Sequence, residues 1–447
     1  GNLDSMVSNY TVHCKFRKND AYSPGGIGGA RPDRATLVYT SIIKRAYKKV
    51  PVILGGLEAS LRRLSHYDYW SNRLRRSVLV DSKADLLVYG MGEKTILQIA
   101  GRMDAGEPLA EITDIRGTVV KVKDLPRDFE GVVLPDFQDM KKDPAVFAES
   151  FKLQHENTDP INAHPLAERH FDYYILQNKP QYPLSRQELD RVHELPYTRR
   201  PHPDYEQAGG VPAIEEVSFS IISSRGCFGG CHFCSLNFHQ GRIVRSRSHE
   251  SIIKEAESFL RDPEFKGYIH DVGGPTANFR QPACDKQLKQ GACRKRACLT
   301  PSICPSMQVD QSDYLSLLRK LRNLQGVKKV FVRSGIRFDY MLADEDESFF
   351  HELVKHHISG QLKVAPEHVS DRVLECMGKP KFSVYKKFKE KYDDLNRRHG
   401  KKQFLVPYFI SSHPGATLSD AVKVAKYLQE IRFVPEQVQD FYPTPGT

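Results

Sequence analysis

Val217-Ser218-Phe219-Ser220-Ile221-Ile222-Ser223-Ser224-Arg225-Gly226-Cys227-Phe228-Gly229-Gly230-Cys231-His232-Phe233-Cys234 runs an apolar, alternating segment straight into three closely spaced thiols. The alternation from Val217 to Ile222 predicts a strand, and the glycines beyond it predict a loop. Three cysteines make an incomplete cage. A 4Fe–4S cluster takes four thiolates, one per iron, so this loop would leave one iron without a protein ligand. An open metal position marks a site that binds substrate or cofactor rather than one that only holds a fold together. The competing reading is a structural zinc site with His232 or His239 as fourth ligand, but the spacing matches iron–sulfur usage better.

From Val217 onward, strand and helix patterns alternate. Strands are expected at 217–223, 268–272, 329–332, 362–365, 404–410 and 437–442. Helices are expected between them, at 251–260, 312–324, 345–356, 384–397 and 418–431. This rhythm predicts a parallel sheet curved into an open barrel. Active sites of such barrels form at the C-terminal ends of the strands, which places the cysteine loop at the mouth. A second thiol set, Cys284, Cys293, Cys298 and Cys304, lies in a long loop after the second strand, in an insertion at about 275–309. Four thiols can close a zinc site or ligate a second 4Fe–4S cluster. The absence of Cys-x2-Cys pairs favours the cluster, with Arg294, Lys295 and Arg296 to offset thiolate charge.

Toward the N-terminus, Asp33 is placed to cap a helix over 34–49, with apolar positions at Ala35, Val38, Ile42 and Ala46. Val50 to Gly56 and Asp85 to Gly90 read as buried strands entering glycine turns, and a helix follows from Glu93 to Met103. The alternation predicts an α/β layer over 1–135. The stretch Leu61 to Trp70, followed by Arg73, Arg75 and Arg76, interleaves arginines with aromatics. Such a pattern can stack on bases, but a basic helix whose aromatics pack under a neighbouring domain is favoured. Pro160, Pro165, Pro180, Pro183, Pro196, Pro201 and Pro203 mark 136–216 as an irregular connector, with the barrel spanning 217–447.

Composition sets outer bounds. Of the nine cysteines, seven fall between Cys227 and Cys304, a clustering for metal rather than a disulfide framework. Gly1 to Met6 lacks the basic start and apolar run of a signal peptide, and no run suits a bilayer, so a cytoplasmic protein without membrane contact is expected. The formal charge of +11 is compatible with an RNA partner without requiring one.

Cys-x3-Cys-x2-Cys with an aromatic before the third cysteine resembles the radical S-adenosylmethionine (SAM) superfamily. Arg225 to Arg242, Arg245-Ser246-Arg247-Ser248, Gly25 to Arg34, His66 to Trp70, Asp271 to Asn278 and Leu362 to His368 together resemble its YgiQ-type proteins, over nearly the whole chain. The resemblance implies a partial (β/α)6 radical SAM barrel preceded by a truncated Rossmann-like, cobalamin-binding-like α/β domain, in a fragment of a longer protein. It implies that Cys227, Cys231 and Cys234 ligate a 4Fe–4S cluster whose fourth iron chelates SAM. One-electron reduction then yields a 5′-deoxyadenosyl radical that abstracts hydrogen from a substrate. Phe233 is implied to contact adenine, Gly273 and Gly274 to admit the methionyl group, and Arg333, Ser334 and Glu367 to hold the carboxylate or ribose. A flavodoxin or ferredoxin would supply the electron. The Asp-x-His-x-x-Gly loop that gives cobalt a histidine is missing, so cobalamin is not expected. Arg245 to Ser248 and Tyr442 to Thr447 also resemble methylthiotransferases, which makes RNA the candidate substrate. The competing class is a non-enzymatic iron–sulfur or zinc protein acting in binding or redox sensing.

Overall fold

The computed structural model describes residues 3–435 and 438–447. Its first unit is built on a six-stranded sheet in the order Ile53–Leu54, Leu86–Val88, Thr118–Val122, Tyr173–Gln177, Leu166–His170, Val132–Leu134. Only the two outermost pairs are parallel, so the sheet is mixed. Successive side chains point to opposite faces of a strand. Leu87 and Tyr89 therefore join Val119 and Ile175 in one buried layer, while Leu86 and Val88 join Val120 and Leu176 in the other. Both faces are covered, which is why these strands read as continuous apolar runs.

Three expectations for this unit are corrected. The stretch 136–216 is not irregular throughout: it carries the helix Pro144–Glu156 and the hairpin Leu166–His170/Tyr173–Gln177 that completes the sheet. Its prolines sit mostly outside these elements, and the stretches 157–165 and 178–213, the latter around the helix Arg186–His193, stay loosely structured. Asp33 does not cap the helix Ala35–Ala46, because its carboxylate accepts from Asn9 Nδ2 and the Tyr10 hydroxyl. Ser5 and Glu58 do so instead, accepting from the amides of Ala35 and Thr36 at 3.1 and 3.0 Å. The helix also leaves Val38 and Ile42 exposed.

The basic-aromatic stretch is buried over 61–66, as favoured, but runs into a hairpin, His66–Asp68 with Arg73–Arg75, rather than a helix, and leaves Arg73 exposed. Arg62, Arg63 and His66 are 5%, 2% and 6% exposed. Tyr69 and Trp70 pack on Tyr442 beyond the last strand, at 5.7 and 5.0 Å between ring centroids.

The second unit follows the expected alternation. Ser220–Ile222 pairs in parallel with Asp271–Gly273, Tyr268–Ile269 with Lys329–Val330, and Gln361–Glu367 with Phe404–Ser411. The last of these pairs in turn with Gln439–Asp440; the predicted start at Gln437 lies outside the described residues. The amide of Val332 donates to the His357 carbonyl and links the two groups of strands. The helices His249–Phe259, Ser312–Arg322, Phe382–Arg398 and Leu418–Glu430 alternate with them. Ile221, Val272, Val332, Val364 and Phe409 are buried in one core with Phe259, Tyr314, Leu318, Phe388 and Tyr392 from the helices. Alternation then turns Ser220, Ile222, Asp271 and Gly273 toward the lumen. Among the described residues no helix is long and apolar enough to cross a membrane.

Candidate active site

The cysteine loop leaves the first strand through a two-residue ladder, Ser224–Arg225 against Arg245–Ser246. Gly226 turns it with a φ of +83°, and a Cβ there would lie 2.3 Å from the Ile243 carbonyl oxygen, so the tight exit requires glycine. Arginines fasten the base. Arg280, 5% exposed, donates to the Ser223 and Arg247 carbonyls, and Arg247 pairs with Glu255.

Within the loop, Cys227 Sγ lies 3.5 Å from Thr276 Oγ1 and accepts from the Gly229 amide. Arg337 Nη1 lies 3.4 Å from Cys231 Sγ, while Nε and Nη2 grip Asp339 in a buried pair. A Cβ at Gly229 would fall 2.9 Å from Arg337 Nη1, 3.2 Å from Cys227 Sγ and 3.9 Å from Cys231 Sγ. The loop therefore packs the Cys227 and Cys231 sulfurs close to each other and to the Arg337 guanidinium. Burial raises the Cys227 thiol and pushes Cys234 up to about 12. A cationic cluster would have to displace those protons, as is general for thiolate–metal binding. Among the described residues no three His, Cys, Asp or Glu side chains converge on a single ion. Ligands of a cubane, which each bind a different iron, have no need to do so. Of the histidines of the zinc reading, His232 Nδ1 lies 2.8 Å from the Cys376 carbonyl and His239 Nδ1 2.9 Å from Ser60 Oγ.

Gly273, Gly274, Arg333 and Ser334 line one lumen cavity of about 1550 Å³, including its open mouth. Ser224 lines it too, and Leu57 and Met91 reach it from the glycine turns of the first unit. A residue not singled out from the sequence organises this wall. Asp271 accepts from the amides of Arg333 and Ser334 at 2.7 and 3.1 Å and from the Ser334 hydroxyl. A Cβ at Gly273 would stand 2.0 Å from Ser334 Oγ, and one at Gly274 2.7 Å from Ser224 Oγ. Glu367 and Phe233 are not part of that wall. Glu367 is 5% exposed, with Oε1 3.6 Å from Lys379 Nζ and Oε2 buried without a partner among the described residues. Burial raises its pKa, against the opposing pull of Lys379. The Phe233 ring meets His413 edge-on at 6.2 Å.

The second thiol set sits at the seam between the units. Arg242 brings positive charge to it, with Nη2 4.0 Å from Cys298 Sγ and Nη1 bonded to the Cys293 carbonyl. Arg294 instead donates to the Asn162 carbonyl. The Cys304 amide bonds to the Cys298 carbonyl. Burial raises the Cys298 pKa, and Cys284 and Cys293 add to it against the pull of Arg242. On the other side, Asp159 Oδ2 accepts from the Ala292 amide at 2.9 Å, and Asn162 Nδ2 donates to the carbonyls of Gln290 and Ala292.

A family profile described as Radical SAM N-terminal matches residues 1–220, and one described as Radical SAM superfamily matches 221–428. A UPF0313 protein of Clostridium perfringens (strain SM101 / Type A) is 56% identical over 448 residues, covering 100% of this chain and 68% of the relative. A UPF0313 protein of Clostridium botulinum (strain ATCC 19397 / Type A) is 53% identical over 447 residues, covering 100% and 69%. Among solved structures, the radical SAM methyltransferase TsrM from Kitasatospora setae, with tryptophan substrate and a SAM analog bound, superposes with a TM-score of 0.51 at 14% identity. That match covers 100% of this chain and 62% of TsrM, and shows a shared fold.

Proposed function

The chain belongs to the UPF0313 family within the radical SAM superfamily, and from that premise we propose that it is an enzyme binding SAM against a 4Fe–4S cluster held by Cys227, Cys231 and Cys234. One observation carries the reading: the glycine-lined lumen wall of Gly273, Gly274 and Ser334 stands at the strand ends beside the thiol loop. Cys227 and Cys231 lie near one another at Gly229, as two ligands of one cluster would. When bound, the cluster and SAM supply reductive cleavage of a sulfonium bond and a radical that abstracts hydrogen.

The remaining tasks fall to this chain. Arg337 sets a buried positive charge 3.4 Å from Cys231 Sγ. Asp271 fixes the Arg333–Ser334 backbone, so that the space over Gly273 stays open only while no side chain fills it. Glu367 Oε2, buried and unpaired, is free to accept an N–H or O–H of SAM. Leu57 and Met91 narrow the mouth against water. The second thiol set is proposed to hold a 4Fe–4S cluster or zinc, and a flavodoxin- or ferredoxin-type protein to deliver the electron. RNA remains the candidate substrate on the resemblance of Arg245 to Ser248 and Tyr442 to Thr447 alone, because Arg62 and Arg63 of the basic-aromatic stretch are buried. A purely binding or redox-sensing protein would need no open, glycine-lined lumen beside its thiols.

The test is anaerobic reconstitution, with iron and sulfide counted, followed by dithionite reduction in the presence of SAM. 5′-Deoxyadenosine is expected, and its absence above a Cys227→Ala/Cys231→Ala/Cys234→Ala control sinks the reading. Zinc without iron would rule out both clusters.

A further inference from the structure

A second cavity, enclosing about 70 Å³, lies at the seam between the two units, room for one small charged group of a larger molecule. Its walls are the turn at Gly90 and Met91, the segment 180–184, and the helix Leu236–Gln240 that follows the cysteine loop. Met91, Arg225, His239 and Gln240 line both this cavity and the lumen, so the two adjoin.

The cavity's charge is one-sided. Arg63, Arg225 and Arg245 line it and no carboxylate does. Arg63 is 2% exposed, yet among the described residues it has no acidic partner. Its hydrogen bonds go to neutral oxygens, Gln177 Oε1 at 2.7 Å and the Ser60 carbonyl at 2.8 Å. Its guanidinium stacks 3.9 Å from the Phe238 ring centroid and 4.6 Å from that of Tyr89. Arg225 and Arg245 face each other directly across their antiparallel ladder, a position where like charges repel. Among the described residues Glu93 pairs with Arg225 only, and Arg245 Nε is buried without a partner. A buried charge persists when it is paired, and the missing pair here is an anion. The enclosed shape and the rings of Phe238, Tyr89 and Tyr182 suit a small molecule rather than a polymer strand running through.

We propose that this seam cavity binds the anionic group, a carboxylate or a phosphate monoester, of a small organic molecule whose remainder extends into the lumen. Resting on the radical SAM reading, that molecule is the substrate class of the enzyme: the anion is held by Arg63 and Arg245, and the reacting C–H is presented beside Gly273 and Ser334.

The test is thermal melting of the reconstituted full chain at matched ionic strength, without SAM. Benzoate and phenyl phosphate are the anionic probes and benzyl alcohol the neutral one. A saturable rise in Tm is expected with one or both anions, the stronger identifying the anion type, and none with the alcohol. Arg245→Gln is expected to weaken that binding about tenfold or more, the loss of one charge-assisted bond. Arg63→Met is expected to raise the ligand-free Tm, because it removes an uncompensated buried charge while filling its space, and to abolish the anion response. An Arg63→Met that lowers Tm, with Arg245→Gln binding the probes as wild type does, overturns the proposal. So does the lack of a saturable shift with either anion. The readout involves no SAM turnover, so its failure and a failure to form 5′-deoxyadenosine are separable.

Discussion

Replacing Gly273 by alanine puts a methyl group where the structure has no room for one. The new Cβ would stand 2.0 Å from Ser334 Oγ, 2.4 Å from Asp271 Oδ2 and 2.7 Å from Ser334 Cβ. Those atoms are not free to retreat, because Asp271 also holds the Arg333 and Ser334 amides. Overpacking of this kind costs about 1–3 kcal/mol. Turning the Ser334 hydroxyl away instead gives up its bond to a carboxylate, a loss of about 1.5–3 kcal/mol, so neither escape avoids the penalty. At about 2–4 °C per kcal/mol for a unit of the barrel's size, Gly273→Ala should melt roughly 2–12 °C below wild type. Adding Ser334→Gly removes two of the three crowding atoms and should recover part of that loss. It should not recover SAM affinity, since the added methyl still occupies the approach to the backbone. Differential scanning fluorimetry and SAM titration of the reconstituted proteins read the two effects separately. A Gly273→Ala protein that melts and binds SAM as wild type does would refute the assignment of this wall.

Two further outcomes are expected. Arg337→Met strands Asp339 as a lone buried carboxylate and should cost about 3–5 kcal/mol in chemical denaturation, whereas Arg337→Met/Asp339→Leu should regain most of it; equal melting of the two variants would contradict this. Burial, with help from Arg62, lowers His66 to about 3, well below its ordinary value of 6.5. Between those values the unfolded chain binds a proton that the folded chain refuses, so stability should fall as pH drops from about 6.5 toward 3, by up to ~1.4 kcal/mol per pH unit. Urea midpoints at several pH values should show a shallower acid slope for His66→Gln, and an unchanged slope would remove His66 from the account.

The barrel was legible because its signals are local. Strands such as Gln361–Glu367 and helices such as Phe382–Arg398 carry their periodicity in consecutive residues, and the observed elements fall within a few positions of the expected ones. The thiol loop and the glycine pair were legible for the same reason. Contacts between distant residues were not. Nothing near Arg337 announces Cys231, and nothing near Arg242 announces Cys298, because each pair is joined only by folding. Asp33 looked like a cap by position, but Asn9 and Tyr10 claim it across more than a helix length of sequence. The prolines of 136–216 masked Leu166–His170 and Tyr173–Gln177, whose partners Thr118–Val122 and Val132–Leu134 carried no strand signal of their own in the reading of the sequence. Asp271 could have been found, since it stands directly before Val272-Gly273-Gly274, where a carboxylate at a strand end can collect the amides of the next loop.

The ties of Asp159 and Asn162 to the backbone at Gln290 and Ala292 fasten the four-thiol loop to the first unit while Arg242 and Cys298 fasten it to the barrel. A ligand that binds only the folded loop stabilises everything whose unfolding would disrupt that loop. Loading of the second thiol set is therefore linked to the cohesion of both halves. With the set filled, calorimetry should record one cooperative transition, and chelation should let the first unit depart at a lower temperature than the barrel.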